Sequence, residues 1–156
     1  MSDLSPDPER FVTAQDEHGT YDAALAELRR GRKTSHWMWF VLPQLLGLGQ
    51  SAMAQRYGVR GLAEARAYLA HPVLGPRLRE CGEALLALGT SDVESVLGGI
   101  DAMKLRSSMT LFAHAADGEA DVFRAVLDRF FDGDEDEATL ALLDGRSGLS
   151  GRAATP

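Results

Sequence analysis

The sequence predicts an all-α fold, a compact single domain of about seven or eight short helices joined by irregular connectors. Three observations carry that expectation. Apolar residues recur every three or four positions along nearly the whole chain. No useful length keeps the every-second-residue alternation of a half-buried strand. Glycine and proline punctuate the periodic segments, and no internal repeat is visible.

Asp7 to Glu17 carries Phe11, Val12 and Ala14 and stops near Gly19. Thr20 then reads as an N-cap for a helix bearing Tyr21, Ala24, Leu25 and Leu28, with Arg29 and Arg30 in the last turn and Gly31 beyond it. Pro43 biases Leu42 towards extended geometry, and Gly47-Leu48-Gly49 loosens the backbone after it. Residues 36–41 are therefore expected as a short helix or extended segment, packed inward because they are so aromatic. Residues 51–60 read as a connector. Leu62 to Ala70 reads as a helix stopped by His71-Pro72, and Leu74, Leu78, Cys81, Leu85 and Leu88 form one apolar stripe on the next helix. Ser91 caps a short helix through Leu97, which Gly98-Gly99 breaks. Helices from Ile100 to Ala115, Glu119 to Phe131 and Asp136 to Leu143 complete a domain spanning residues 1–144. Residues 145–156 have nothing to bury and are expected to be disordered.

With 156 residues, 45% of them hydrophobic, the chain is long enough to bury a proper core. A net charge of −7 argues against a general nucleic-acid coat, which needs a basic face to neutralise phosphates. The single Cys81 excludes an internal disulfide and fits a reducing compartment. No apolar run is long enough for a membrane span, and the acidic N-terminus lacks the basic and apolar regions of a signal peptide. A cytoplasmic monomer without membrane contact is expected.

The chemistry concentrates in residues 31–40. Arg32, Lys33, Thr34, Ser35 and His36 are all hydrogen-bond donors, and Trp37 and Trp39 add flat apolar faces with one N–H each. That combination suits an anionic ligand carrying a planar ring. The alternatives are that Trp37, Trp39 and Phe40 fill the core, and that His36 bonds a backbone carbonyl instead of acting as a general acid or base. A second cluster lies on the helix from Ile100. At about 100° per residue, Lys104 falls inside the apolar arc with Ser107 and Ser108 one turn away, and Arg106 points from the other flank near Thr110. A lysine there must snorkel, pair, or face a polar cavity.

Other signals fail. His18, His36, His71 and His114 lack ligand spacing, and one cysteine cannot build a structural zinc site, so no metal or cofactor is expected. Gly47-Leu48-Gly49 lacks the strand and third glycine of a dinucleotide fingerprint. Glu27, Glu80 and Asp101 are the candidate catalytic carboxylates, but each sits on a polar helix flank or helix start and reads as solvated. The acidic run at 132–137 reads as a solvated turn, since it lacks the spaced ligands of a calcium loop.

The segments Ser35-His-Trp-Met-Trp-Phe-Val-Leu-Pro-Gln-Leu-Leu-Gly-Leu-Gly49, Ala65-Arg-Ala-Tyr-Leu-Ala-His-Pro-Val-Leu-Gly-Pro-Arg-Leu78 and Lys104-Leu-Arg-Ser-Ser-Met-Thr-Leu-Phe112 resemble the bacterial domain-of-unknown-function family DUF1810. The resemblance covers residues 8–143 and implies a small, mainly helical protein. It brings no established activity and no catalytic residue. A looser likeness to helical N-glycosidases acting on ADP-ribosyl or riboflavin-precursor groups has no alignable motif and is analogy alone.

The residues point to binding of a small anionic, ring-containing ligand resembling a nucleotide or ADP-ribose. Lys33, His36, Lys104 and Arg106 would meet the anion, Ser35, Ser107 and Ser108 would orient it, and Trp37 or Trp39 would stack on the ring. Hydrolysis of an N-glycosidic bond is the reaction considered, with His36 as the candidate catalytic group and a pocket carboxylate still to be found. The alternative is a non-enzymatic interaction module that presents an exposed aromatic face.

Overall fold

The computed structural model describes residues 8–116 and 121–151. Helix α1 (Glu9–Asp16) ends in a single tight turn, where His18 and Gly19 adopt positive φ, and α2 (Thr20–Arg30) follows. Gly19, not Thr20, is the N-cap of α2; the Thr20 hydroxyl instead donates back to the Glu17 carbonyl at 2.6 Å. The strip after Gly31 holds one short helix, α3 (Met38–Val41).

The expected connector at 51–60 contains a further helix, α4 (Ala52–Tyr57). Its N-cap Ser51 accepts the Ala54 N–H at 3.1 Å. A serine ahead of a short, weakly patterned segment was enough to nucleate one turn, and such segments raise the helix number above the expected range. The chain continues through α5 (Leu62–Ala70), α6 (Leu74–Leu86), α7 (Val93–Leu97), α8 (Gly99–Ala116), α9 (Asp121–Phe131) and α10 (Glu137–Gly151). Asp92 caps α7 where Ser91 was expected, accepting the Ser95 N–H at 3.3 Å. Helix α10 continues past the expected end at Leu143. Residues 1–7, 117–120 and 152–156 lie outside the described residues, so the helix start expected at Asp7, the start of α9 expected at Glu119 and the end of the expected tail do as well.

Among the described residues no strand forms. One parallel bridge joins Leu45 to Val59, with Leu46 N–H donating to Val59 and Val59 N–H to Gln44 at 2.8 and 2.9 Å. Gly58 belongs at that crossing because a Cβ there would stand 2.7 Å from the Leu46 backbone. Arg10 holds the same loop from α1. It donates to the carbonyls of Arg56 and Gly58 and pairs with Glu64, which is almost wholly buried.

Helix α8 is the axis of the molecule. It packs chiefly against α5 and α9 and also meets α7 and α10. Leu105, Met109, Leu111, Phe112 and Ala113 are all buried, so apolar contact surrounds its middle turns. A run of aromatic contacts crosses it. Phe11 meets Tyr68 and Tyr68 meets Phe112, both with ring centroids 5.1 Å apart, and Phe112 meets Phe123 at 6.1 Å. The first turn of α8 carries Asp101 to the strip that follows Gly31.

Candidate functional site

The site begins at a helix end. Gly31 takes φ 79°, a left-handed conformation that closes α2, with the Gly31 and Arg32 N–H groups returning to Leu28 and Glu27 carbonyls. The chain then folds back over the last turn of α2. Lys33 N–H donates to the Val96 carbonyl at 2.8 Å, which pins the strip to the end of α7.

The reversal brings donors onto the Glu27 carboxylate. Its Oε1 accepts the Thr34 N–H at 2.8 Å, the Ser35 N–H at 3.1 Å and the Trp37 indole N–H at 2.9 Å, and its Oε2 accepts the Ser35 hydroxyl at 2.5 Å. Glu27 is only 5% exposed, so the expectation of a solvated flank is corrected. Burial alone would raise its pKa, but the donors outweigh burial and hold the carboxyl at about 2. A carboxylate so saturated stays ionised at neutral pH and has no proton to give. Glu27 is the group that positions the strip.

Beyond it, the two sequence clusters meet. Lys33 Nζ lies 3.0 Å from Asp101 Oδ2, and Lys104 Nζ lies 3.6 Å from Asp101 Oδ1. Each ammonium also stands over a tryptophan, Lys33 over Trp37 and Lys104 over Trp39, both 5.1 Å from the ring centre. The lysine side chains are 9% and 23% exposed and Asp101 is 19% exposed, so Asp101 is no solvated helix-start charge either. In direct contact two cations share one anion in a partly desolvated setting, and the ionised Glu27 is bonded to the Trp37 over which Lys33 stands.

Beside Lys104 opens a narrow cleft lined by Met38, Trp39, Leu42, Gln44, Tyr57 and Gly58, among others. Its free space is about 10 Å³, close to what one water needs. Tyr57 comes from the segment read as a connector and Gln44 from the turn after Pro43, and the bridge at Leu45 and Val59 helps bring them here.

The remaining candidates separate. Trp37 is fully buried and offers no face to solvent, whereas Trp39 is half-buried at the surface. With Met38 and Phe40 buried too, the strip is no exposed aromatic face. Ser35 is committed to Glu27. His36 is exposed and forms no hydrogen bond or ion pair among the described residues. Arg106 turns away, donating to the carbonyls of Asp134 and Glu135 in the loop before α10. Ser107 bonds back to the Met103 carbonyl at 3.2 Å, and Ser108 is fully buried with its hydroxyl unpartnered.

Glu80 is half-exposed, paired with Arg29, and accepts the Tyr21 hydroxyl at 2.7 Å. The acidic run is only partly a solvated turn. Glu135 pairs with Arg124 and His114, and Asp136 caps α10 by accepting the Thr139 N–H. Among the described residues, no three His, Cys, Asp or Glu side chains are grouped to hold a metal ion, and no helix is long and apolar enough to cross a membrane.

The family described as "Protein of unknown function (DUF1810)" matches residues 5–143. A crystal structure of the conserved hypothetical protein Rv1873 from Mycobacterium tuberculosis is similar over 88% of this chain and 96% of that one, with 49% identity and a TM-score of 0.84. No curated protein matches.

Proposed function

We propose, for a chain that belongs to the DUF1810 family of unknown function, that the cluster of Lys33, Asp101, Lys104 and Trp39 binds a small oxyanion-bearing ligand. The observation that carries this reading is the sharing of one Asp101 carboxylate by two poorly solvated ammonium groups. A partly buried cation without a full counter-charge favours an incoming anion. A planar ring, as in a nucleotide or ADP-ribose, would lie against the accessible part of Trp39, outside the narrow cleft. Trp37, Ser35 and Glu27 support the strip from beneath, and Arg106, Ser107 and Ser108 have no part in the contact.

N-glycosidic cleavage would need a carboxylate free to face the sugar centre or activate water. Glu27 is saturated with donors and Asp101 is held between ammonium groups, so the proposal is one of binding. A thermal-shift series with nucleotides, ADP-ribose and sugar phosphates tests it. A true ligand at about 100 times its dissociation constant stabilises the protein by roughly 2.7 kcal/mol. A flat response across the series contradicts the proposal.

A second reading rests on Ile100 and Met103, which are 75% and 70% exposed on the first turns of α8 beside Lys104. Exposed aliphatic side chains at one spot suit a protein-interaction module. This reading takes precedence if no ligand stabilises the wild type.

A further inference from the structure

We infer, resting on the oxyanion reading above, that Asp101 is a resident stand-in for the ligand's headgroup, and that the site takes a phosphate monoester dianion by exchanging it for the Asp101 carboxylate.

The geometry of the bridge is the first argument. The nearest Asp101 oxygen differs for the two ammonium groups, Oδ2 at 3.0 Å for Lys33 and Oδ1 at 3.6 Å for Lys104. One anion with two terminal oxygens thus serves both ammonium groups, and a phosphate presents such oxygens as a carboxylate does.

Charge decides between them. Replacing one monoanion by another keeps two ammonium groups on a single negative charge in direct contact. A dianion matches both lysines, and its gain is largest where solvent is partly excluded. The accessible part of Trp39, over which Lys104 stands, then serves the esterified side of the ligand.

Asp101 is also free to leave. Among the described residues its partners are the two lysines alone, in contrast to Glu27 with its full set of donors. Its side chain already reaches solvent, and it lies in the first turn of α8, where the helix N-terminus favours a carboxylate in any rotamer.

The test is calorimetric titration of phenyl phosphate, and separately of acetate, into the wild type and Asp101→Asn. Phenyl phosphate should bind both proteins, the variant on the order of tenfold more tightly, a factor equivalent to 1.4 kcal/mol. Acetate should bind the variant and not the wild type. Equal or weaker binding of phenyl phosphate by the variant overturns the exchange and leaves the binding site standing. Acetate matching phenyl phosphate in the wild type overturns the preference for a dianion. No binding by either protein overturns this inference and the underlying site together. Should Asp101→Asn fail to fold, a crystal structure of the wild type with phenyl phosphate decides. A headgroup between the two Nζ atoms with Asp101 turned outward supports exchange, and Asp101 still bridging the lysines refutes it.

Discussion

Trp37 donates its indole N–H to Glu27 Oε1 at 2.9 Å, and both groups are buried. That bond fixes the strip against the end of α2, so that Lys33 reaches across to α8. The buried carboxylate shapes the site without facing it.

Glu27→Gln keeps the size of the side chain and removes the charge. It should destabilise the protein by roughly 1.5–3 kcal/mol, the range for hydrogen bonds to a charged group. Urea unfolding of variant and wild type measures the difference.

The pH dependence follows from the same group. Its folded pKa is about 2 against an ordinary 4.5, so the stabilisation is complete above 4.5 and is lost as pH falls towards 2. The stability gap between wild type and Glu27→Gln should stay constant from pH 7 to 5 and shrink below pH 4.5. A gap unchanged at pH 3 would show that the carboxylate's charge contributes little.

Gly31 is the hinge of the strip. Gly31→Ala places a Cβ on a left-handed residue, a cost of about 1–2 kcal/mol. Its nearest neighbour would be Leu88 Cδ2 at 3.4 Å, an ordinary contact, so the penalty should be conformational. Unfolding midpoints for Gly31→Ala and Gly31→Asn separate the two causes, because asparagine tolerates this conformation better and should recover part of the loss.

Cys81 should be unreactive in the native state. It is buried, and burial first of all pushes its thiol up to about 12. Labelling by a thiol reagent at pH 8 should proceed only as fast as the protein unfolds; rapid labelling of the folded form would contradict this placement.

The helices were legible wherever apolar spacing ran for several turns. Of the expected stripe, Leu74, Leu78, Cys81 and Leu85 are buried on α6, whereas Leu88 lies beyond its end and is only partly buried, and Gly31 ends α2 as its position implied. Helix α4 was not legible because six residues give too short a period, and only Ser51 marked its start. Lys104 stood out by its place in the apolar arc.

Glu27 and Asp101 did not, since a carboxylate beside a helix end looks solvated until the chain returns over it. One signal was available. The N–H groups of Thr34, Ser35 and Trp37 follow a glycine that reverses the chain, and such donors crowded against buried aromatics need an acceptor. The convergence of Gln44 and Tyr57 on Lys104 had no local signal, because it depends on the pairing of Leu45 with Val59.

The central claim is that Lys33 and Lys104 together hold an oxyanion. Calorimetric titration of phenyl phosphate into the wild type and Lys104→Met measures this most directly, with an unfolding curve of each protein alongside. Lys104 is 23% exposed and its pairing with Asp101 is the looser of the two, so the variant should unfold near the wild-type midpoint while binding at least tenfold more weakly. Equal affinity in the two proteins, or loss of folding in Lys104→Met, would make the lysine a structural residue and contradict the account.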